Sequence, residues 1–98
     1  MKLIYLSGKI TDKNRLKFWR NIYIAWKKAR ELSKRYAVIC PHTNGFGFSL
    51  DYDRYMSIDK KLISRCDSVY VLPNWETSKG CKMEIAFARK KNIPVKFL

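Results

Sequence analysis

The chain has 98 residues, 47% hydrophobic and 14% aromatic, enough apolar side chains for one packed core and too few for two, so a single domain over residues 1–98 is expected and a disordered chain is excluded. Lys and Arg number 21 against 8 Asp and Glu, a net charge of +13 that draws phosphates, nucleic acid or anionic lipid without choosing among them. No stretch approaches the ~18 apolar residues of a membrane span, and the apolar run after Met1 is too short for a signal-peptide core, which points to a cytoplasmic protein.

Residues 2–6, KLIYL, read as a first strand broken by Ser7-Gly8. From Asn14, an N-cap candidate, to about Tyr36 the apolar residues recur at three- and four-residue spacing and predict a long amphipathic helix. Ala37–Cys40 is a short buried strand stopped by Pro41, followed by the loop HTNGFGFSL. Residues 51–66 predict a second helix, 68–72 a third strand closed by Pro73, 81–91 a third helix and 94–98 a fourth strand, with the loop NWETSKG before the third helix. Alternating strands and helices predict a compact Rossmann-like (flavodoxin-like) three-layer α/β fold, with about four parallel strands in the order 2-1-3-4. Ligands of such sheets bind beyond the carboxyl ends of the strands, where the loops at 7–14, 41–50 and 73–80 would gather.

The three cysteines, Cys40, Cys66 and Cys81, show no CxxC or Cys/His metal spacing and read as reduced, partly buried thiols. His42 is the only histidine and has no triad pattern around it, so a catalytic cysteine is not expected.

Two carboxylates stand where apolar residues belong. Asp59 shares a helix stripe with Tyr55, Leu62 and Ile63, where a charge needs a partner or a cavity. It is either a helix-edge residue turned to water or a group aimed into a ligand site. Glu84 shares a face with Cys81, Ile85 and Ala88. Just before it, Ser78-Lys79-Gly80 lie where strand gives way to helix, a place whose unpaired N–H groups suit an anion and whose glycine allows close approach. A lone SxG also fits an ordinary N-cap; with a carboxylate six residues after the Ser it is more specific. Together these features suggest acid/base or nucleophilic work on a phosphorylated substrate. A carboxylate-bound metal is less natural, since no third carboxylate or histidine falls at the same strand ends, and no cofactor is implied.

These residues carry a resemblance that covers nearly the whole chain. Tyr5-Leu6-Ser7-Gly8-Lys9-Ile10-Thr11 is similar to a Y-x-x-G-x-I opening, Asn14-Arg15 starts the first helix, Cys66-Asp67-Ser68-Val69 matches a "CD-hydrophobic" strand start, and residues 72–84 resemble the pattern LPxWxxSxGxxxE. In these motifs the chain resembles the nucleoside 2-deoxyribosyltransferase superfamily, particularly its small phage and bacterial members and the deoxynucleoside 5′-monophosphate N-glycosidases. The resemblance implies that Glu84 attacks C1′ of a deoxyribose, that Asp59 assists proton transfer and that Tyr5 orients the nucleophile, in chemistry parallel to a retaining glycosidase. The transferases usually carry Asp where this chain has Ser78, so the resemblance favours a nucleotide over a free nucleoside. Gly8, Lys9, Ile10, Arg15, Ser78 and Gly80 then become substrate-binding candidates, with Trp75 either a lid on the base or sugar or an anchor for its loop. Asp67 serves the site or caps the turn into the third strand, the cap being favoured. The chain ends at the fourth strand, without the later elements of larger members, where a neighbouring subunit completes the base pocket.

Two other classes of function fit parts of the sequence. A chain of this kind can hold a nucleotide without cleaving it. Residues 13–35 also hold nine Lys or Arg and one acidic residue, Glu31, interleaved with Trp19, Tyr23 and Trp26, a mixture that suits single-stranded nucleic acid. The helical spacing of those aromatics favours core or dimer-interface burial, and a homodimer or higher homo-oligomer is expected. No membrane partner is expected.

Overall fold

A computed structural model describes residues 1–10, 12–41 and 51–98; Thr11 and the predicted loop over 42–50, with His42, lie outside the described residues. The elements are β1 (Leu3–Ser7), α1 (Arg15–Leu32), β2 (Ala37–Ile39), α2 (Tyr52–Ile63), β3 (Ser68–Val71), a 3-10 turn (Pro73–Thr77), α3 (Lys79–Lys90) and β4 (Val95–Phe97). All strand pairs are parallel, in the order β2-β1-β3-β4, with helices on both sides, as the alternating pattern predicts.

Near-continuous apolar runs suit strands covered on both faces. Along β1, Tyr5 joins Ile63, Cys66, Val69, Val71, Ile85 and Ala88 in the core under α2 and α3, while Leu6 joins Ala25 and Leu72 in a smaller core under α1. The register pairs Tyr5 with Ile39 and Val69, and Ser7 with Val71, so the carboxyl ends of the two central strands finish side by side.

Asn14 caps α1, its Oδ1 accepting from the N–H groups of Leu16 (2.9 Å) and Lys17 (3.3 Å). The helix ends at Leu32, not Tyr36. Residues 33–35 are exposed and bring no apolar side chain to the sheet, while the Ser33 hydroxyl turns back to the Ala29 carbonyl at 2.6 Å. In place of the predicted loop at 74–80, Pro73 opens a 3-10 turn and Ser78 caps α3, its Oγ accepting from the Cys81 N–H at 3.2 Å. The helix therefore begins two residues earlier than predicted. At its other end Asn92, at φ 59°, takes the left-handed position, and Ile93 N–H bonds back to the Ala88 carbonyl at 2.9 Å.

Trp19, Tyr23 and Trp26 do not enter the core. They are 56%, 58% and 48% exposed along the outer face of α1. Asp67 lies at the opposite end of the sheet from Ser7 and accepts the Leu3 N–H at 2.6 Å, tying the start of β3 to the start of β1. Among the described residues, no helix is long and apolar enough to cross a membrane.

Candidate active site

The carboxyl end of β1 meets the first turns of α3 around one buried acid. Glu84, 5% exposed, receives a hydrogen bond at each carboxyl oxygen: Tyr5 Oη donates to Oε2 at 2.6 Å and Ser7 Oγ to Oε1 at 2.7 Å. Both donors are fully buried and point to the same side of β1 because they stand two residues apart on a strand. Asp59, half-buried on α2, is the neighbouring acid whose charge acts on both Glu84 and Tyr5.

Burial dominates the electrostatics. It pushes the Glu84 carboxyl up to about 7, opposed by the Tyr5 and Ser7 hydrogen bonds and reinforced by the Asp59 charge. Asp59 is also raised by burial, with the hydrogen bonds from Glu84 and Tyr5 pulling the other way. Burial, then the charges of Glu84 and Asp59, drive Tyr5 well above the ordinary tyrosine value, so it stays a donor across the working range. Glu84 can therefore keep a proton up to near neutrality beside a second carboxyl. Cys81 lies alongside but burial raises its thiol, which makes it a poor nucleophile.

Beside the carboxyls, the β1–α1 loop is tied to the 3-10 turn. Lys9 N–H donates to Asn74 Oδ1 at 3.1 Å, and Lys9 Nζ donates to Thr77 Oγ1 at 3.0 Å with Asp12 Oδ2 3.8 Å away. Asn74 Nδ2 donates to Asn21 Oδ1 at 3.2 Å, and Asn21 Nδ2 reaches the Ile10 carbonyl at 3.4 Å. Buried Gly8 and half-buried Ile10 thus line a loop held from behind by α1. Ser78 and Gly80 form the start of α3. A Cβ built on Gly80 would stand 3.9 Å from Ser78 Oγ and 4.0 Å from Met56 Sδ, ordinary contacts, so the protein's own packing does not require glycine there.

Tyr5, Asp59 and Glu84 are brought together; Lys9 bonds to Asn74 and Thr77 of the 3-10 turn that leads into α3, and the Ile10 carbonyl bonds to Asn21 of α1. Arg15 is exposed at the start of α1. The Trp75 ring packs on Phe97, with centroids 5.2 Å apart, and on the core under α3, which anchors the 3-10 turn to β4.

Three polar residues here escaped the sequence reading. Ser7 was legible as the next same-side residue after Tyr5. Asn21 and Asn74 show no signal beyond a buried amide on a helix and an amide after Pro73. Tyr52 also stands near the site: its hydroxyl meets Met83 Sδ at 3.1 Å, the Lys79 ammonium lies 5.2 Å from its ring centroid, and slight burial followed by the Glu84 charge raises its phenol.

A family model described as "Domain of unknown function (DUF4406)" matches residues 2–97, and the chain belongs to that family. Two solved structures share its fold. One is the 2-deoxyribosyltransferase of the psychrotolerant bacterium Bacillus psychrosaccharolyticus, described as a biocatalyst for nucleoside synthesis; it is 17% identical with a TM-score of 0.70, over 97% of this chain and 70% of that one. The other is the 2-desoxiribosyltransferase from Leishmania mexicana, 16% identical with a TM-score of 0.72, over 100% of this chain and 64% of that one. This chain therefore spans roughly two thirds of either enzyme. None of the curated proteins matches it in sequence.

Proposed function

We propose that this DUF4406 chain breaks the N-glycosidic bond of a (deoxy)nucleoside 5′-monophosphate, as an N-glycosidase or a deoxyribosyltransferase, with Glu84 as the nucleophile. The observation that carries the reading is the buried Glu84 carboxyl, oriented through both oxygens by Tyr5 and Ser7 beside the Asp59 charge. A solvated structural acid needs none of these partners. The fold shared with two 2-deoxyribosyltransferases supports the same chemistry.

In the first step a Glu84 carboxylate oxygen bonds to C1′ as the C1′–N bond breaks and its electron pair leaves with the base. Asp59, whose carboxyl burial raises above the ordinary range, assists proton transfer to that base. The Tyr5 hydrogen bond fixes the attacking carboxylate. Water or a second base then attacks C1′, the Glu84–C1′ bond breaks, and the carboxylate is restored. The 5′-phosphate sits against the start of α3, where the first-turn N–H groups have no intrahelical acceptor and Ser78 Oγ already takes that of Cys81. Gly80 permits close approach there. The Gly8–Ile10 loop, with the Lys9 ammonium between Thr77 and Asp12, and Arg15 supply positive charge.

The test is a screen of deoxy- and ribonucleoside monophosphates, followed by chromatography for free base. Release of base from a monophosphate, with weaker nucleotide binding in Ser78→Asp, is the expected result. Tight binding with no release by the native chain would make it a nucleotide-sequestering protein instead.

A further inference from the structure

The outer face of α1 lies outside the site described above and takes no part in the proposed reaction. Of the eighteen residues of α1 only Asn21 and Ala25 are buried. Leu16, Trp19, Tyr23 and Trp26 recur at three- and four-residue spacing and form one exposed stripe about 15 Å long. Tyr23 and Trp26 hold their rings 6.3 Å apart at an interplanar angle of 32°, and the Arg30 guanidinium lies 5.7 Å from the Trp26 ring centroid. Between residues 13 and 30 the chain has seven Lys or Arg and no acidic residue. Arg20 and Lys27, both exposed, immediately follow two of the stripe aromatics.

Aromatic faces for stacking and cations between them are the two elements that bind single strands without sequence preference. A second copy of this chain lacks the matching charge. Of its eight acidic residues, Asp59 and Glu84 belong to the site, Asp51 caps α2, Asp67 holds the Leu3 N–H, and Asp12 and Glu31 face Lys9 and Lys28. The remaining two, Asp53 and Glu76, stand on α2 and the 3-10 turn and form no acidic face. Pairing two α1 faces would set Arg20, Lys27 and Arg30 against the same three cations of the other copy. An anionic lipid surface is matched less well, because the stripe holds a single aliphatic residue, Leu16, and cations interrupt it instead of keeping to the opposite side of the helix.

We infer that the Tyr23/Trp26 face of α1, flanked by Arg20, Lys27 and Arg30, is a binding surface for single-stranded nucleic acid. Bases stack on the rings and phosphates meet the cations. The inference does not depend on the chemistry at Glu84.

Fluorescence anisotropy of labelled oligothymidylate and oligouridylate with the full chain tests it, at 50 and 200 mM salt. With three phosphates neutralised, affinity should fall about eighteen-fold between the two salt concentrations. Tyr23→Ala/Trp26→Ala should weaken binding about 25-fold or more, and Arg20→Glu/Lys27→Glu should both weaken it and flatten its salt dependence. An unchanged circular dichroism spectrum shows that each variant is folded. Preference for one oligonucleotide names the natural strand as DNA or RNA. The inference is overturned if neither oligonucleotide binds at 50 mM salt, or if the double aromatic variant binds as well as the native chain. Binding only to phosphatidylserine vesicles would overturn it in favour of a membrane. A dimer dissolved by the aromatic substitutions, in a chain that binds no oligonucleotide, would make the face a self-interface.

Discussion

On the α2/α3 side of the sheet, Tyr5, Ile63, Val69, Val71, Ile85 and Ala88 pack into one core, and the Glu84 side chain on the same side is buried. On the other side, α1 buries only Asn21 and Ala25 and leaves three aromatic rings about half exposed. The difference separates two uses of apolar side chains. Where they exclude water they raise the pKa of a carboxyl and leave its hydrogen-bond partners to decide its orientation. Where they stay in water they stabilise the fold little and are available to a partner.

Core truncation should expose this contrast most strongly. Ile63→Ala, at a fully buried site, should lower unfolding free energy by about 2–5 kcal/mol in urea denaturation. A loss under 1 kcal/mol would mean that the α2/α3 side is packed no better than the α1 side.

The buried acid should weaken the fold in a pH-dependent way. Glu84 has an ordinary value of 4.5 and a folded value of about 7. Below the ordinary value it is neutral both folded and unfolded. Between the two values the unfolded chain ionises while the folded chain keeps its proton, so stability falls as pH rises and reaches its full deficit above about 7. At about 1.4 kcal/mol per tenfold, the span from 4.5 to about 7 amounts to roughly 3 kcal/mol. Glu84→Gln, which cannot ionise, should therefore melt several degrees above the native chain at pH 8 and close to it at pH 4. Equal melting temperatures at pH 8 would show that Glu84 ionises there as it does in water.

Smaller effects follow from the donors. Tyr5→Phe removes the 2.6 Å hydrogen bond to Oε2 and so raises the Glu84 pKa further. Base release, which needs ionised Glu84, should slow about 10–100-fold, and the rise of its pH profile should move from near 7 to higher pH. A profile unmoved by the substitution would place Tyr5 outside the reacting cluster. The smallest effect belongs to the open side. Trp26→Ala should change unfolding free energy by no more than about 0.5 kcal/mol, whereas a loss of 2 kcal/mol would mean the ring is part of the core.

The sequence made the strands legible because parallel strands covered on both faces are nearly continuous apolar runs, as in Ile4-Tyr5-Leu6 and Val69-Tyr70-Val71-Leu72. Glu84 stood out as a charge among Cys81, Ile85 and Ala88. Ser7 did not, because a serine beside a glycine at a strand end reads first as a turn. Its alternation with Tyr5 was the usable signal. The aromatics of α1 show where periodicity stops. The helix carries two stripes, one of large rings and one with Asn21, Ala25 and Ala29, and spacing alone does not say which turns inward. Close approach of α1 to Leu6 and Leu72 leaves room for the small side chains, so Trp19, Tyr23 and Trp26 face out. The Asn21–Asn74 link joins residues 53 apart in sequence and only the assembled sheet brings them together.

The central claim is that Glu84 attacks C1′, and single-turnover base release by Glu84→Gln against the native chain tests it most directly. Gln keeps the shape and loses the charge, so nucleotide binding should survive while release falls by at least about a thousandfold, roughly 4 kcal/mol of barrier. Release by Glu84→Gln at the native rate would contradict the account and leave the buried carboxyl a structural acid.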